Sequence, residues 1–456
     1  MSVDPVVQQQ VARLFRRAAF GASVDTVNQW AAQGYTATVD HLLSFMPAAQ
    51  RPDNAEVILA QQMATGDDTQ SQSSRNLRLF AQWWFNRMAT SLYPLEEKLT
   101  LYWHGHFATS FYKSFLLGAT MGQNRMLREN AGGDFRALCN LVTGDPAMLL
   151  WLDNAYNVAG HINENYAREF MELFTLGRDM YTQDDVVNVA RAFTGWQVSN
   201  EMGSFNDSVH DHGMKTILGN GPADYGSGDV VDLVLDHHPQ GPVAATYVAQ
   251  RVASFFHRPN PESAVVQAMA QSFMGAAGQP YPIKSMLRTL FLRPEFMNDT
   301  LTGIKCPAEL VAGAIIALNT ATDPTVGLTT STSTQWAAAS ASMGQDLFAP
   351  PNVGGWHGGR AWANTAGALA RYNFATTLAD QVANDIVLQT LDQAEGVPRN
   401  TVGPWMNRLG LLSLSATTQQ GIGQYLNAAN AALDSATTIT RGILAILLSS
   451  PDYMLR

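Results

Sequence analysis

Apolar residues recur at every third and fourth position along most of this 456-residue chain and almost nowhere at every second. That period turns one side of a helix toward a core and leaves little for the alternation a sheet needs. It predicts helices over 11–20, 55–63, 77–91, 95–107, 164–176, 184–193, 244–256, 283–291, 308–318 and 441–448. The fold class is all-α, with roughly fifteen helices by spacing and breakers. The best strand candidate is the stretch 215–218 in HDHGMKTILGNG, which suits at most a small hairpin.

A chain this long exceeds the roughly 250–300 residues over which one core keeps growing. Residues 1–456 therefore form one large helical domain, or two intimately packed halves, about 1–200 and 230–456, joined by the polar loop 197–229. The tracts 65–74 and 320–342 are poor in large apolar groups and are expected as exposed, mobile loops. Two stretches, IKSMLRTLFLRPEFM (283–297) and TRGILAILLSSPDYM (440–454), share an apolar helix followed by proline, an acid, an aromatic and methionine. They are either a repeated helix stop or a duplicated helical unit. Cys139 and Cys306 lie far apart without CxxC spacing and are expected to be buried as small apolar groups.

Charge and hydropathy exclude other classes. The net charge of −10, with no basic run, would repel a phosphate backbone, so no nucleic-acid partner is expected. No apolar stretch approaches the roughly 18 residues that span a bilayer. The N-terminus reads as an amphipathic helix and not as a leader, so the cytoplasm is the default compartment, with export open if a leader has been removed. GxSxG, HExxH, Walker A, EF-hand and GxGxxG patterns are all absent from the sequence.

Four polar clusters are left to carry chemistry. In EEKLTLYWHGHFATS, His104 and His106 would share a face on a strand and chelate one ion. On a helix they lie about 200° apart and meet only if the helix ends at Gly105. The bland alternative is one core and one surface histidine. In HINENYAREFMELFTLG, Asn163 can cap a helix that Gly177 ends. Asn165, Glu169 and Glu172 would then stack on one face, with Arg168 a turn before Glu172 and able to pair with it. Carboxylates near a core need partners, which makes this either an internal salt-bridge network or an acid/base or metal site.

The third cluster, VHDHGMKTILG, brings His210, Asp211, His212 and Lys215 together, a ligand set for a divalent transition metal or the ordinary composition of a solvated loop. The pair His237 and His238 reads as a helix C-terminus meeting a proline. In the fourth, DLFAPPNVGGWHGGRAWANTAG, prolines and glycines enforce a tight backbone around Asn352, Trp356, Arg360 and Trp362. Aromatic walls with an arginine fork suit a sugar or carboxylate ligand; they equally suit a rigid loop packed on the core.

The segments ARLFRRAAFG, YWHGHFATS, NENYAREFMELFTLG, YTQDDVVNVARAFTGW, HDHGMKTILG and LFAPPNVGGWHGGRAWANTAGALARYNFA, running in order to the final SSPDYMLR, together resemble the bacterial family catalogued as domain of unknown function 1800. The resemblance implies a helical bacterial protein, often exported and often encoded beside a sulfatase-like or phosphatase-like partner. Its pattern covers His104, His106, 163–168, Glu169, Glu172, His210, Asp211, Lys215 and 352–356, while His212 and His357 depart from it.

These features lead to a metal-dependent enzyme as the first expectation. One divalent ion would be held by His104 or His106, by His210, and by a carboxylate of Glu169, Glu172 or Asp211. Another carboxylate or Lys215, beside Arg168, would move a proton. Asn165, Asn352, Trp356, Arg360 and Trp362 would hold substrate. The reaction would be hydrolysis of a cell-surface glycan or ester, on the strength of the sulfatase-like neighbour. A non-haem iron oxygenase is the second enzymatic reading. The non-catalytic reading is a binding or scaffolding protein that works with that partner.

Overall fold

Asp4 and Pro5 start the first helix, Pro5–Ala18, with the Asp4 carboxylate accepting from the Val6 N–H at 2.8 Å and proline filling the position that has no N–H to satisfy. Val11, Leu14, Phe15 and Ala18 bury its inner face. The pattern repeats throughout the computed structural model, which describes residues 3–46, 70–275, 278–300, 303–318 and 335–456. Among these are 24 α-helices and two small antiparallel two-stranded sheets. The helix expected over 55–63 lies outside the described residues.

Two of the tracts read as loops are corrected in part. Helix Gln70–Thr90 takes in residues 70–74, and 335–342 forms the helix Gln335–Ser342. Trp336 is buried there, its N–H donated to Gln82 at 3.1 Å. Averaged composition hid a QWAAAS stretch whose alanines favour helix and whose single tryptophan supplies the burial. The remainder of both tracts, 65–69 and 320–334, lies outside the described residues.

The hairpin expected at 215–218 is present as Lys215–Ile217 paired with Asn220–Ala223. A second, unexpected hairpin pairs Trp196–Ser199 with Met202–Phe205. Its turn residues Asn200 and Glu201 both have positive φ, 50° and 59°, as a tight two-residue hairpin turn requires. A glutamate at the second of these positions is an uncommon choice, so the sequence carries no turn signal there.

Side chains gather into two cores that divide elsewhere than at the loop 197–229. The first runs from Val11 to Phe296 and includes Ile217, Leu218 and Val230 beside N-terminal residues. The second joins the helix Gln70–Thr90 to residues from Cys306 to Tyr453. Helix Pro94–His106 serves both: Leu99 and Trp103 face the first and Leu101 the second. The repeated motif appears once in each core, as Ile283–Phe291 followed by Pro294–Met297, and as Ala436–Ser449 followed by Pro451–Met454. Each short helix opens on its proline and buries one aromatic, Phe296 or Tyr453.

The adjacent arginines of the first helix reach both motifs. Arg17 is fully buried and donates to Asp299 at 2.7 Å and to the Thr300 carbonyl at 3.1 Å. Arg16 donates to the carbonyls of Gly410 at 2.9 Å and Asp452 at 3.3 Å. Both cysteines are buried and free, and burial pushes the Cys306 thiol up to about 12. No helix among the described residues is long and apolar enough to cross a membrane.

Candidate functional site

Helix Pro94–His106 continues through both histidines, so Gly105 does not end it and the rings point apart, as helical geometry demands. His104 Nε2 accepts the Phe348 N–H at 3.1 Å, and its ring packs against Trp84, Phe348 and Trp356. Burial drives its pKa down to about 3, so it is a neutral core histidine. His106 Nε2 lies 3.0 Å from the Phe174 carbonyl, so that nitrogen carries the hydrogen and donates it. The other nitrogen, Nδ1, is buried with no hydrogen-bond partner. Desolvation, reinforced by the Arg251 charge, brings His106 to about 3. One ion cannot take both rings.

The carboxylate cluster keeps its expected cap but loses its expected face. Asn163 accepts the Asn165 N–H at 2.9 Å, and Gly177, at φ 86°, closes the segment. Between them the α-helix Asn165–Glu169 gives way to a π-turn, Phe170–Thr175, in which the Thr175 hydroxyl donates to the Phe170 carbonyl at 2.6 Å. The wider turn takes Glu172 out of the α register. Arg168 therefore pairs with Glu164 at 3.0 Å and not with Glu172. Glu172 instead accepts from Arg178 at 2.8 Å and from the Tyr181 hydroxyl at 3.1 Å. Glu169 is half-buried with no hydrogen bond or ion pair among the described residues, and desolvation followed by the Glu172 charge raises its pKa.

On the loop 206–224 the ligand set changes. Asp211 is held by two bonds from Arg191, at 2.8 and 3.1 Å, and by the Gly213 N–H at 2.8 Å, which together keep its pKa low. It clamps the loop to helix Gln183–Ala192 and, among the described residues, is not in the group of possible ligand atoms around His210. His210 Nδ1 sits 2.8 Å from the Thr194 carbonyl and so donates its hydrogen there, which leaves Nε2 as a bare donor atom for a metal. Its companions are His212 and Asp224. Ligand atoms of His210, His212 and Asp224 all lie within 4.8 Å of one another. Asp224 was missed by sequence reading, although the hairpin register, Lys215 opposite Ala223, places residue 224 beside this cluster. The fully buried Lys215 side chain donates to Asp224 Oδ1 at 2.9 Å, while Asp224 Oδ2 faces His212 Nδ1 at 3.1 Å.

The fourth cluster builds a cleft of about 170 Å³ whose walls include Tyr102, His106, Arg251, Trp356, Trp362 and Arg456. Gly355, at φ 73°, brings the turn so close to the Gly105 carbonyl that no Cβ fits between. Of the predicted ligand residues, Trp356 and Trp362 reach the cleft. Asn352 is exposed and caps its own turn by accepting the Gly354 N–H at 2.9 Å, and the exposed Arg360 lies outside the lining. Guanidinium groups come instead from Arg251, on helix Val243–Phe256, and from the C-terminal Arg456.

The expected convergence of all three metal and carboxylate clusters is not drawn by contacts. The His106–Phe174 bond ties the first to the second. Among the described residues no hydrogen bond or ion pair ties either to His210 or Asp211.

Fold and site together define a large, mainly helical protein with a two-imidazole, one-carboxylate corner beside a hairpin and a separate aromatic cleft. The chain belongs to the family described as protein of unknown function, DUF1800, whose pattern it matches over residues 13–455. No curated protein and no solved structure matches it.

Proposed function

We propose that this chain is a metal-dependent hydrolase whose divalent ion is held by His210, His212 and Asp224. The observation that carries the reading is the orientation of His210: its Nδ1–H is fixed on the Thr194 carbonyl, which leaves Nε2 with a free lone pair in a residue grouped with His212 and Asp224. Outer partners that set the tautomer of a ligating imidazole are the usual companions of a metal site. Lys215 plays the same part for Asp224, holding one carboxylate oxygen while the other faces His212 Nδ1. Two ligands on one ion lie at most about 4.2 Å apart, twice a bond of about 2.1 Å. The 4.8 Å spread therefore needs a small rotation, which the exposed His212 can make. Three protein ligands leave positions for water and substrate, and a bound ion would supply a hydroxide nucleophile and polarise the bond attacked. The exposed placement of His212 and Asp224 suits a large substrate such as a cell-surface glycan or its ester.

The same two-histidine, one-carboxylate set also suits ferrous iron and oxygenase chemistry. Elemental analysis of the purified full-length protein separates the readings. About one equivalent of zinc or manganese is expected. His210→Ala or Asp224→Asn should weaken metal retention by more than the roughly 10–100-fold typical of outer-partner substitutions, with the melting temperature of the metal-free protein little changed. Iron in that position would move the assignment to the oxygenase. Failure to retain zinc, manganese or iron would leave the scaffolding role with a sulfatase-like partner.

A further inference from the structure

The cleft at the end of helix Pro94–His106 lies outside the hairpin and uses none of its groups. We propose that it is a binding site for a small polyhydroxylated oxyanion of about monosaccharide size. Its volume, about 170 Å³, far exceeds the roughly 10–15 Å³ that admits a single water and falls below the roughly 300 Å³ at which drug-sized pockets begin. Two buried polar atoms on its lining residues have no partner, His106 Nδ1 and the Tyr102 hydroxyl. Such atoms are rare in folded proteins and ask for one.

The chemistry of each group specifies part of the ligand. His106 donates through Nε2 to Phe174, so Nδ1 offers only a lone pair and requires a hydroxyl or other donor. Tyr102 can give or take a hydrogen bond. Arg251 carries a guanidinium with no hydrogen bond or ion pair among the described residues, close enough for its charge to act on both His106 and Tyr102. A free guanidinium favours a carboxylate, phosphate or sulfate. The other guanidinium, Arg456, is already committed to Glu309 at 2.5 Å and stacks 4.9 Å over Phe255. Trp356 and Trp362 supply flat apolar walls of the kind on which the carbon face of a sugar ring packs. One ligand satisfies all of these: hydroxyls at His106 and Tyr102, a ring against the tryptophans and an acid group at Arg251.

The test is calorimetric titration of the full chain with D-glucuronate, D-glucose 6-phosphate and D-glucose. At least one charged sugar should bind about tenfold tighter than glucose, the contribution of about one charge-assisted hydrogen bond. Which of them does so assigns the carboxylate or the phosphate ester. Arg251→Ala, a change at an exposed side chain, should abolish that advantage. Tyr102→Phe, which removes only the hydroxyl, should weaken binding roughly threefold or more without lowering the melting temperature. Saturation should also move the His106 Nδ1 nitrogen resonance from that of a bare lone pair toward a hydrogen-bonded one. Binding of neither charged sugar, equal affinity for glucose, or an advantage that survives in Arg251→Ala would overturn the proposal. None of these results bears on the metal content of the hairpin, so the two assignments fail separately.

Discussion

Replacing Glu309 with glutamine should destabilise the protein by about 3–5 kcal/mol at neutral pH, the range for breaking one partner out of a buried ion pair. Glu309 Oε1 takes Lys98 Nζ and Arg456 Nη1, each at 2.5 Å, and Oε2 accepts the Cys306 N–H at 2.7 Å, with Glu309 and Lys98 buried and the Arg456 side chain 11% exposed. Desolvation alone would raise its pKa, but the charges of Arg456 and Lys98 outweigh it and bring the group to about 2 from an ordinary 4.5. A carboxylate lowered on folding adds stability that is complete above the unfolded value and is lost as protons bind. The gap between wild type and Glu309→Gln should therefore be constant from pH 8 to about 5 and shrink between about 4.5 and 2. Thermal melts across that range check it. A gap below about 1 kcal/mol at pH 7, or one that does not narrow in acid, would refute the assignment.

Two glycines whose backbones touch should respond to alanine with opposite signs. Gly355 sits at φ 73° against the Gly105 carbonyl, where a Cβ has no room. Gly355→Ala combines a left-handed conformation, about 1–2 kcal/mol, with overpacking of about 1–3 kcal/mol. The expected loss is about 2–5 kcal/mol, together with displacement of Trp356 from the cleft. Gly105 is helical, and a Cβ there meets nothing within 4 Å. Gly105→Ala should be neutral or stabilising by up to about 1 kcal/mol. Urea unfolding of both variants reads the difference, and equal losses would contradict the geometry.

Helical period was enough for the fold class because it is a local property of each segment. Residues 283–291 were read to their final boundaries, and helix 95–107 to within one residue at each end. The carboxylate face was misread because an α register was extended through a π-turn, and no residue between Phe170 and Thr175 announces the extra width. The surroundings of Asp211 escape the sequence for a different reason. Spacing along the chain put Asp211 next to His210, but Arg191, twenty residues upstream, takes both its oxygens. Strand pairing brings Asp224 beside His210 and His212. Turn chemistry points to Trp356 and Trp362, and both line the cleft, whereas Arg251 reaches it from helix Val243–Phe256, where no such pattern surrounds it. Long-range pairing decided each of these outcomes, and local pattern is silent about it.

The arginine pair on the first helix has a consequence for how the chain is made. Arg17 leaves the ribosome 282 residues before its partner Asp299, and Arg16 leaves it 436 residues before Asp452. Arg17 cannot be desolvated with its native carboxylate before Asp299 has been made, and Arg16 waits longer still for the carbonyls of Gly410 and Asp452. Contacts of such separation slow folding because loop closure precedes any gain from them. Helix Pro5–Ala18 is thus locked in place only after acceptors hundreds of residues downstream have been synthesised.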